Sequence, residues 1–361
     1  MDSVKNAIAL LEQLIATPSA SKHEEDTASL IEAWFHARHV ITKRLGNNVI
    51  AEHRAVNPNA PVLLLNSHHD TVTPSDGWNT NPYLPTWEGD VLYGLGSNDA
   101  GAALVTMATV FMHLRTMSDL QYHIVFAATA EEETSGTGGM ELLTREYFGN
   151  AEHGIAVPAL AIVGEPTNMQ LAIAEKGLIV LDCLAHGVTG HAAREEGVNA
   201  IYKALADIEW FRTYTFDRIS EALGHVKMTV TQIGAGTQHN VVPDACAFVV
   251  DVRTTDAYTN QEVLDIIAAN VASAIKPRSI RLQPSSIGIS HPIVQKGIAM
   301  GLTTYGSPTM SDQSLLPNGV PSFKIGPGNS ARSHTPNEYI TRTEIANGIA
   351  VLTELLERYV A

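Results

Sequence analysis

Cysteine is scarce, with only Cys183 and Cys246 in 361 residues. That excludes a small disulfide-stapled scaffold and favours buried thiols in a reducing compartment, a single bridge between the two being the alternative. Cationic side chains are outnumbered: Lys and Arg total 23 against 38 Asp and Glu, a formal charge of −15. Such a surface repels phosphate backbones and anionic lipid, so neither nucleic acid nor a membrane is the expected partner, and a small molecule is. No run approaches the ~18 consecutive apolar residues of a membrane span. The opening stretch MDSVKNAIALLEQLIATPS reads as an amphipathic helix with acidic residues and no small-residue cleavage site, and a cytoplasmic location is expected. A Walker A loop, HExxH, G-x-S-x-G, internal repeats and low-complexity tracts are also missing. Gly94-x-Gly96 starts like a dinucleotide fingerprint, but Asp99 stands where the third Gly belongs, and no apolar strand directly precedes it.

What remains is an ordinary globular composition, 45% hydrophobic and 17% charged, over a length that suits about two domains. Apolar residues at helical spacing (Val4, Ala7, Ile8, Leu11, Leu14, Ile15) predict a first helix that Pro18 stops, and Ala28, Leu30, Ile31, Trp34 and Phe35 predict a second. Short apolar runs at Val62–Leu65, Tyr122–Ala128, Leu160–Val163 and Val320–Ile325, with helical stretches such as Gly101–Leu114 between them, predict an α/β fold. Its sheet should be mainly parallel and covered by helices on both faces. From 177 to 286 the strands alternate apolar and polar residues instead. Strands at 178–186, 226–233, 245–253 and 279–283 with helices at 198–212 and 261–275 give a βαββαβ order, the ferredoxin-like split βαβ unit. The expected organisation is a discontinuous α/β domain, 1–176 and 287–361, interrupted by an inserted domain, 177–286.

In an open α/β sheet ligands bind beyond the carboxyl ends of the strands, and those ends carry imidazole and carboxylate here. The first run ends in His68-His69-Asp70, the second in Glu131-Glu132-Glu133, the third in Glu165-Pro166, and the last leads through Gly-Pro-Gly to Ser333-His334. Asp99 lies in the loop Gly94-Leu-Gly-Ser-Asn-Asp-Ala-Gly101 before a helix. Imidazole and carboxylate without thiolate suit Zn²⁺, with Mn²⁺ or Co²⁺ as substitutes. A pair of such ions ~3.5–4 Å apart polarises a carbonyl and generates hydroxide at neutral pH, and an uncoordinated acid can then move the proton. Taken singly, each residue has a plainer reading. One His of 15 is usually a surface or core residue, three consecutive Glu a solvated charge run, Glu165 a turn acid and Asp99 a helix cap. The joint pattern carries the argument.

The motifs Ser-His68-His-Asp70-Thr-Val, Gly-Leu-Gly-Ser-Asn-Asp99, Thr-Ala-Glu-Glu132-Glu133-Thr-Ser, Gly-Glu165-Pro-Thr and His334-Thr-Pro-Asn-Glu-Tyr-Ile resemble, in order, a family of di-zinc amidohydrolases and peptidases. This family contains the acetylornithine deacetylases, succinyl-diaminopimelate desuccinylases, aminoacylases and glutamate carboxypeptidases, and the resemblance covers essentially the whole chain. It implies a zinc-peptidase-like fold and two Zn²⁺ per subunit, one on His68, Asp99 and Glu165, the other on Asp99, Glu133 and His334. Asp70 would orient the His68 ring and Glu132 would be the general acid/base. The peptide after the bridging Asp is usually cis in this family. The resemblance also makes the inserted domain a dimerisation domain whose His191, in Gly190-His191-Ala192-Ala193, reaches the partner subunit's active site. Arg253, in Asp251-Val-Arg253, would bind a substrate carboxylate, and Asn240 the substrate or its oxyanion.

Glu rather than Asp at 165 resembles the family's deacylases and carboxypeptidases rather than its aminopeptidases, Gly326-Pro-Gly328 resembles the acetylornithine deacetylase branch, and Leu-Asn-Ser-His-x-Asp-Thr-Val with Gly-Thr-Gln-His-Asn-Val-Val-Pro-Asp resembles the acetylornithine deacetylase-like enzymes of Bacteroidetes type. This implies hydrolysis of an N-acetyl or N-succinyl ornithine or citrulline in arginine biosynthesis by a cytoplasmic homodimer. Two departures stand out: Asp99-Ala100-Gly101 lacks the Lys of the common Met-Lys-Gly-Gly, and Glu131 replaces the usual Asp, at a non-coordinating position. The rival readings are a dipeptidase or carboxypeptidase, a succinyl-diaminopimelate desuccinylase, and a non-catalytic, metal-stabilised binding protein.

Overall fold

A computed structural model describes residues 2–150, 152–194 and 196–360. The chain forms two compact units, one of residues 1–173, 286–305 and 311–361, the other of residues 174–285 and 306–310.

The larger unit is built on a nine-stranded mixed sheet. Its main path runs Thr42–Leu45, Asn48–His53, His123–Thr129, Val62–His68, Leu160–Val163, Ser322–Lys324, Leu171–Glu175, Ser285–Ser286. The middle four strands are parallel, and they are the four apolar runs that the sequence singles out. Antiparallel neighbours on either side, Asn48–His53 and Leu171–Glu175, close the parallel block. Every residue of Val62–His68 and of His123–Thr129 is buried, which explains why these strands read as continuous apolar runs rather than as an alternation. The expected opening helices are Asp2–Ala16 and Glu25–His36.

Helix Ala102–Leu114 is apolar on nearly all faces because it lies inside the unit, against the sheet and the helices Asp2–Ala16 and Arg342–Val360. Phe35, Phe111 and Phe126, all fully buried, lock this layer to the sheet with ring centroids 5.1 to 6.0 Å apart. Phe126→Ala is expected to destabilise the larger unit by about 3–5 kcal/mol, measured by denaturant unfolding, because the cavity would open between three rigid elements.

In the smaller unit the four-stranded antiparallel sheet has the order Lys227–Ala235, Ala245–Thr254, Gly177–His186, Ala274–Pro277. With helices Ala200–Thr213 and Asn260–Asn270 the chain order is βαββαβ. Alternate residues of the central strands (Ile179, Leu181, Cys183; Phe248, Val250, Val252) share one core with Ala204 and Phe211 of the first helix and Val263 and Ile267 of the second. Both helices therefore cover the same face. Cys183 and Cys246 are buried free thiols in this core.

Here the sequence reading needs correction. The second helix stops at Asn270 rather than 275, and the last strand is Ala274–Pro277 rather than 279–283. Buried Asp207 is the cause: its carboxylate accepts the N–H groups of Ala272 and Ser273 at 3.0 and 2.8 Å and the Ser273 hydroxyl at 2.5 Å. The chain is held in a turn where its apolar spacing would have continued the helix. No helix among the described residues is long and apolar enough to cross a membrane.

Candidate metal centre

The carboxyl ends of the parallel strands deliver the site. His68 is the last residue of its strand and pairs with Thr129, so the turn that follows Thr129 sets Glu132 and Glu133 beside it. Asn66 pairs with Val163, two residues before Glu165. Asp99 arrives from the segment Ser97–Gly101, where its own φ/ψ of −116°/100° is not helical, and its peptide bond to Ala100 is cis. The helix starts only at Ala102 and has no side-chain cap, so Asp99 is not a helix-capping residue. Glycine is required on both sides of it. Gly96 has φ +73°, and a Cβ on Gly101 would lie 2.4 Å from the Gly96 carbonyl oxygen, to which Gly101 N–H is bonded.

Two groups of candidate ligands result among the described residues, His68 with Asp99 and Glu165, and Asp99 with Glu133 and His334. Within each, one donor atom per residue lies within 4.8 Å of the others. Asp99 is common to both: its Oδ1 is 3.2 Å from His68 Nε2 and its Oδ2 is 3.6 Å from His334 Nε2. Glu165 Oε1 stands 3.8 Å from His68 Nε2 and Glu133 Oε2 2.9 Å from His334 Nε2. His68 is buried, whereas the His334 side chain is 55% exposed and forms the open rim.

His68 Nδ1 lies 3.0 Å from the Asp70 carbonyl oxygen, which can only accept, so Nδ1 carries a proton and Nε2 is the ring nitrogen that faces the acids. The Asp70 carboxylate does more than face this ring at 3.4 Å. Its two oxygens accept the backbone N–H groups of Glu132 and Glu133, both at 3.1 Å, and the Ser21 hydroxyl at 2.7 Å. One acid thus sets the positions of His68, Glu132 and Glu133 together.

Burial disfavours the His68 imidazolium, but Glu132, Asp70 and Asp99 outweigh it and hold the ring well above the usual histidine range. Burial, then the neighbouring Asp99, pushes Glu165 up to about 8. Glu132 is raised well above the carboxylate range by burial and by Glu165, Asp312 and Glu133, against the pull of His68. The His334 ring is raised to about 9 by its hydrogen bond to Glu133. Glu165 Oε1 is buried and has no hydrogen-bond partner. Crowded like charges and an orphaned carboxylate oxygen are what a site short of counter-charge looks like, and imidazole with carboxylate donors fits a pair of divalent cations.

Glu132 belongs to neither group of ligands. Its Oε2 is 3.9 Å from His68 Nε2, which leaves it free to handle protons. Glu131 turns away, with φ +55° and its carboxylate accepting Gly138 N–H at 3.2 Å. His191, Asn240 and Arg253 lie in the smaller unit. His191 pairs with Val241 in a short exposed ladder, and Asn240 accepts Ala192 N–H at 3.1 Å, so these two are neighbours. Arg253 is held by Asp251 through two hydrogen bonds of 2.8 and 3.0 Å. Two buried acids of the larger unit escape a reading of the sequence. Asp312, which accepts the Thr129 hydroxyl at 2.5 Å, sits in a segment without any motif. Glu338 had a signal, standing four residues after His334 in the same motif.

Residues 64–358 match the model of peptidase family M20/M25/M40. The acetylornithine deacetylase of Proteus mirabilis (strain HI4320) is 26% identical over 381 residues, covering 98% of this chain and 96% of its own. Among solved structures, the aminopeptidase PepT of Bacillus cereus superposes with a TM-score of 0.76 at 18% identity, covering 98% of both chains. A dinuclear metal binding peptidase of the M20 family from Bacillus subtilis gives 0.73 at 15% identity over 99% of both. The M20 family metallo-carboxypeptidase of Sulfolobus solfataricus gives 0.71 at 17% identity over 97% of this chain and 98% of its own. These structures share the fold.

Proposed function

Because the chain belongs to peptidase family M20/M25/M40, we propose that it hydrolyses the amide bond of an N-acyl amino acid, N-acetylornithine or an N-acetyl or N-succinyl ornithine or citrulline, in arginine biosynthesis. The observation that carries this reading is a pair of ligand triads sharing Asp99 with a non-coordinating acid, Glu132, beside them. The full-length similarity to an acetylornithine deacetylase supports an acyl-amino-acid substrate.

His68, Asp99 and Glu165 would hold one cation and Asp99, Glu133 and His334 the other, Zn²⁺ being the ion that best suits this donor set. When bound, the pair supplies Lewis acidity, polarising the acyl carbonyl and acidifying a water. Glu132 takes the proton of the attacking water and returns it to the leaving nitrogen; burial and the neighbouring acids raise its carboxyl above the usual carboxylate range, which favours the proton-holding form. Asp70 keeps Glu132 in place through the backbone and His68 through Nδ1. Arg253 is proposed to bind the α-carboxylate, sharing its guanidinium with Asp251, and His191 and Asn240 to contact the acyl group. The smaller unit is proposed to form a cytoplasmic homodimer. Strand Lys227–Ala235 is at the edge of its sheet, and Ile233, Tyr202 and Leu205 are left 57%, 72% and 51% exposed.

The test is free-amine release by zinc-loaded protein from N-acetylornithine, N-acetylcitrulline, their N-succinyl counterparts, succinyl-diaminopimelate and dipeptides, with and without chelator. Chelator-sensitive release from an acylated ornithine or citrulline is the expected result. Release from dipeptides alone would make the protein a peptidase, release from succinyl-diaminopimelate alone a desuccinylase, and silence throughout a binding protein.

A further inference from the structure

The buried acid Glu338 has no place in the scheme above, yet it holds the shared ligand. Its Oε1 accepts the N–H groups of both Asn98 and Asp99, at 2.7 and 2.8 Å, and its Oε2 accepts Gly96 N–H at 3.0 Å. The Glu338 carbonyl oxygen in turn takes Gly94 N–H at 3.0 Å, and the strand that starts one residue later, Tyr339–Thr341, pairs with Val91–Tyr93. One short segment therefore carries His334 and clasps the backbone of the Asp99 loop from Gly94 to Asp99. A carboxyl group is an expensive way to satisfy three N–H groups beside Asp99, since burial and the neighbouring Asp99 charge both disfavour its ionised form. What it provides is two acceptor oxygens in a rigid fork, which fixes the rotation of the loop.

We propose that Glu338 is a positioning residue that orients Asp99 so that one of its oxygens faces each ligand group. This rests on the dinuclear reading given above. A glutamine at 338 has the same shape but one acceptor oxygen, so its amide N–H₂ must face either Gly96 N–H or the N–H pair of Asn98 and Asp99. The loop would turn to escape, carrying the Asp99 carboxylate with it.

The test is a Co²⁺ titration of the chelator-stripped full-length protein and of Glu338→Gln, read by visible absorption and by the Tm shift that Co²⁺ produces. Wild type is expected to take up two Co²⁺ per chain. Glu338→Gln is expected to bind them at least ~10-fold more weakly, in the range seen when partners of metal ligands are removed, and to show a smaller Co²⁺-induced Tm shift. A purely structural role would lower the metal-free and Co²⁺-loaded Tm values equally and leave the affinity unchanged; that result overturns the proposal. If Glu338→Gln does not fold, Glu338→Asp, which withdraws the fork by one methylene, is read in the same way. Failure of wild type itself to take up Co²⁺ would refute the dinuclear reading and this proposal with it, whereas equal uptake by wild type and variant refutes only the role of Glu338.

Discussion

Glu132→Gln is expected to lower kcat by roughly 10²–10⁴-fold, the range over which a positioned general acid/base contributes, while the metal content stays that of wild type. The geometry gives both halves of this result. Glu132 is outside both ligand groups, and its Oε2 stands 3.9 Å from His68 Nε2. Its backbone is held independently of its side chain, by the Asp70 carboxylate at 3.1 Å. The amide keeps the shape and loses only the capacity to take a proton. Steady-state kinetics on the substrate that wild type cleaves, with metal analysis of the same preparation, checks the outcome. Loss of metal together with activity would mean that Glu132 is a ligand, and unchanged kcat that another acid, Asp312 being the nearest unused one in charge terms, moves the proton.

Asp99→Asn should have the larger effect on metal. A carboxylate whose oxygens stand 3.2 and 3.6 Å from the imidazoles of His68 and His334 serves both groups, and an amide can offer only one oxygen to one of them. Metal affinity is expected to fall by more than the roughly 10–100-fold typical of a partner that only supports a ligand, with metal content below one ion per chain after dialysis and no measurable turnover. Glu165→Gln and Glu133→Gln each touch a single group and should each weaken one ion before the other. A Co²⁺ titration of the three variants separates these patterns. Two ions retained by Asp99→Asn would show that Asp99 is not shared.

Much of this site is legible in the chain because four of the five candidate ligands, all but His334, sit close to an apolar run, after the end of a buried strand or in the loop before a buried helix. His68, Glu133 and Glu165 follow directly from strand ends, and Asp99 from the glycine pattern around it. What the residues do to one another is not legible. Asp70 reads as a partner of His68 alone, and only the folded chain has it holding Glu132 and Glu133 as well. Asp312 and Glu338 reach the site from 180 residues or more after the Thr129 hydroxyl and the Asp99 N–H that they accept.

The boundary error in the smaller unit has the same origin. Local spacing carries the helix that begins at Asn260 past its end, because the groups that stop it belong to Asp207, 65 and 66 residues earlier. The sequence by itself determined the class of fold, the parallel core strands and the set of imidazole and carboxylate side chains at their ends, because burial writes a local and periodic pattern. The tertiary structure decided which oxygen faces which nitrogen and which buried acids support the ligand groups. Those are contacts between residues far apart in the chain, and a hydrogen bond made across the fold leaves no period in the sequence on either side of it.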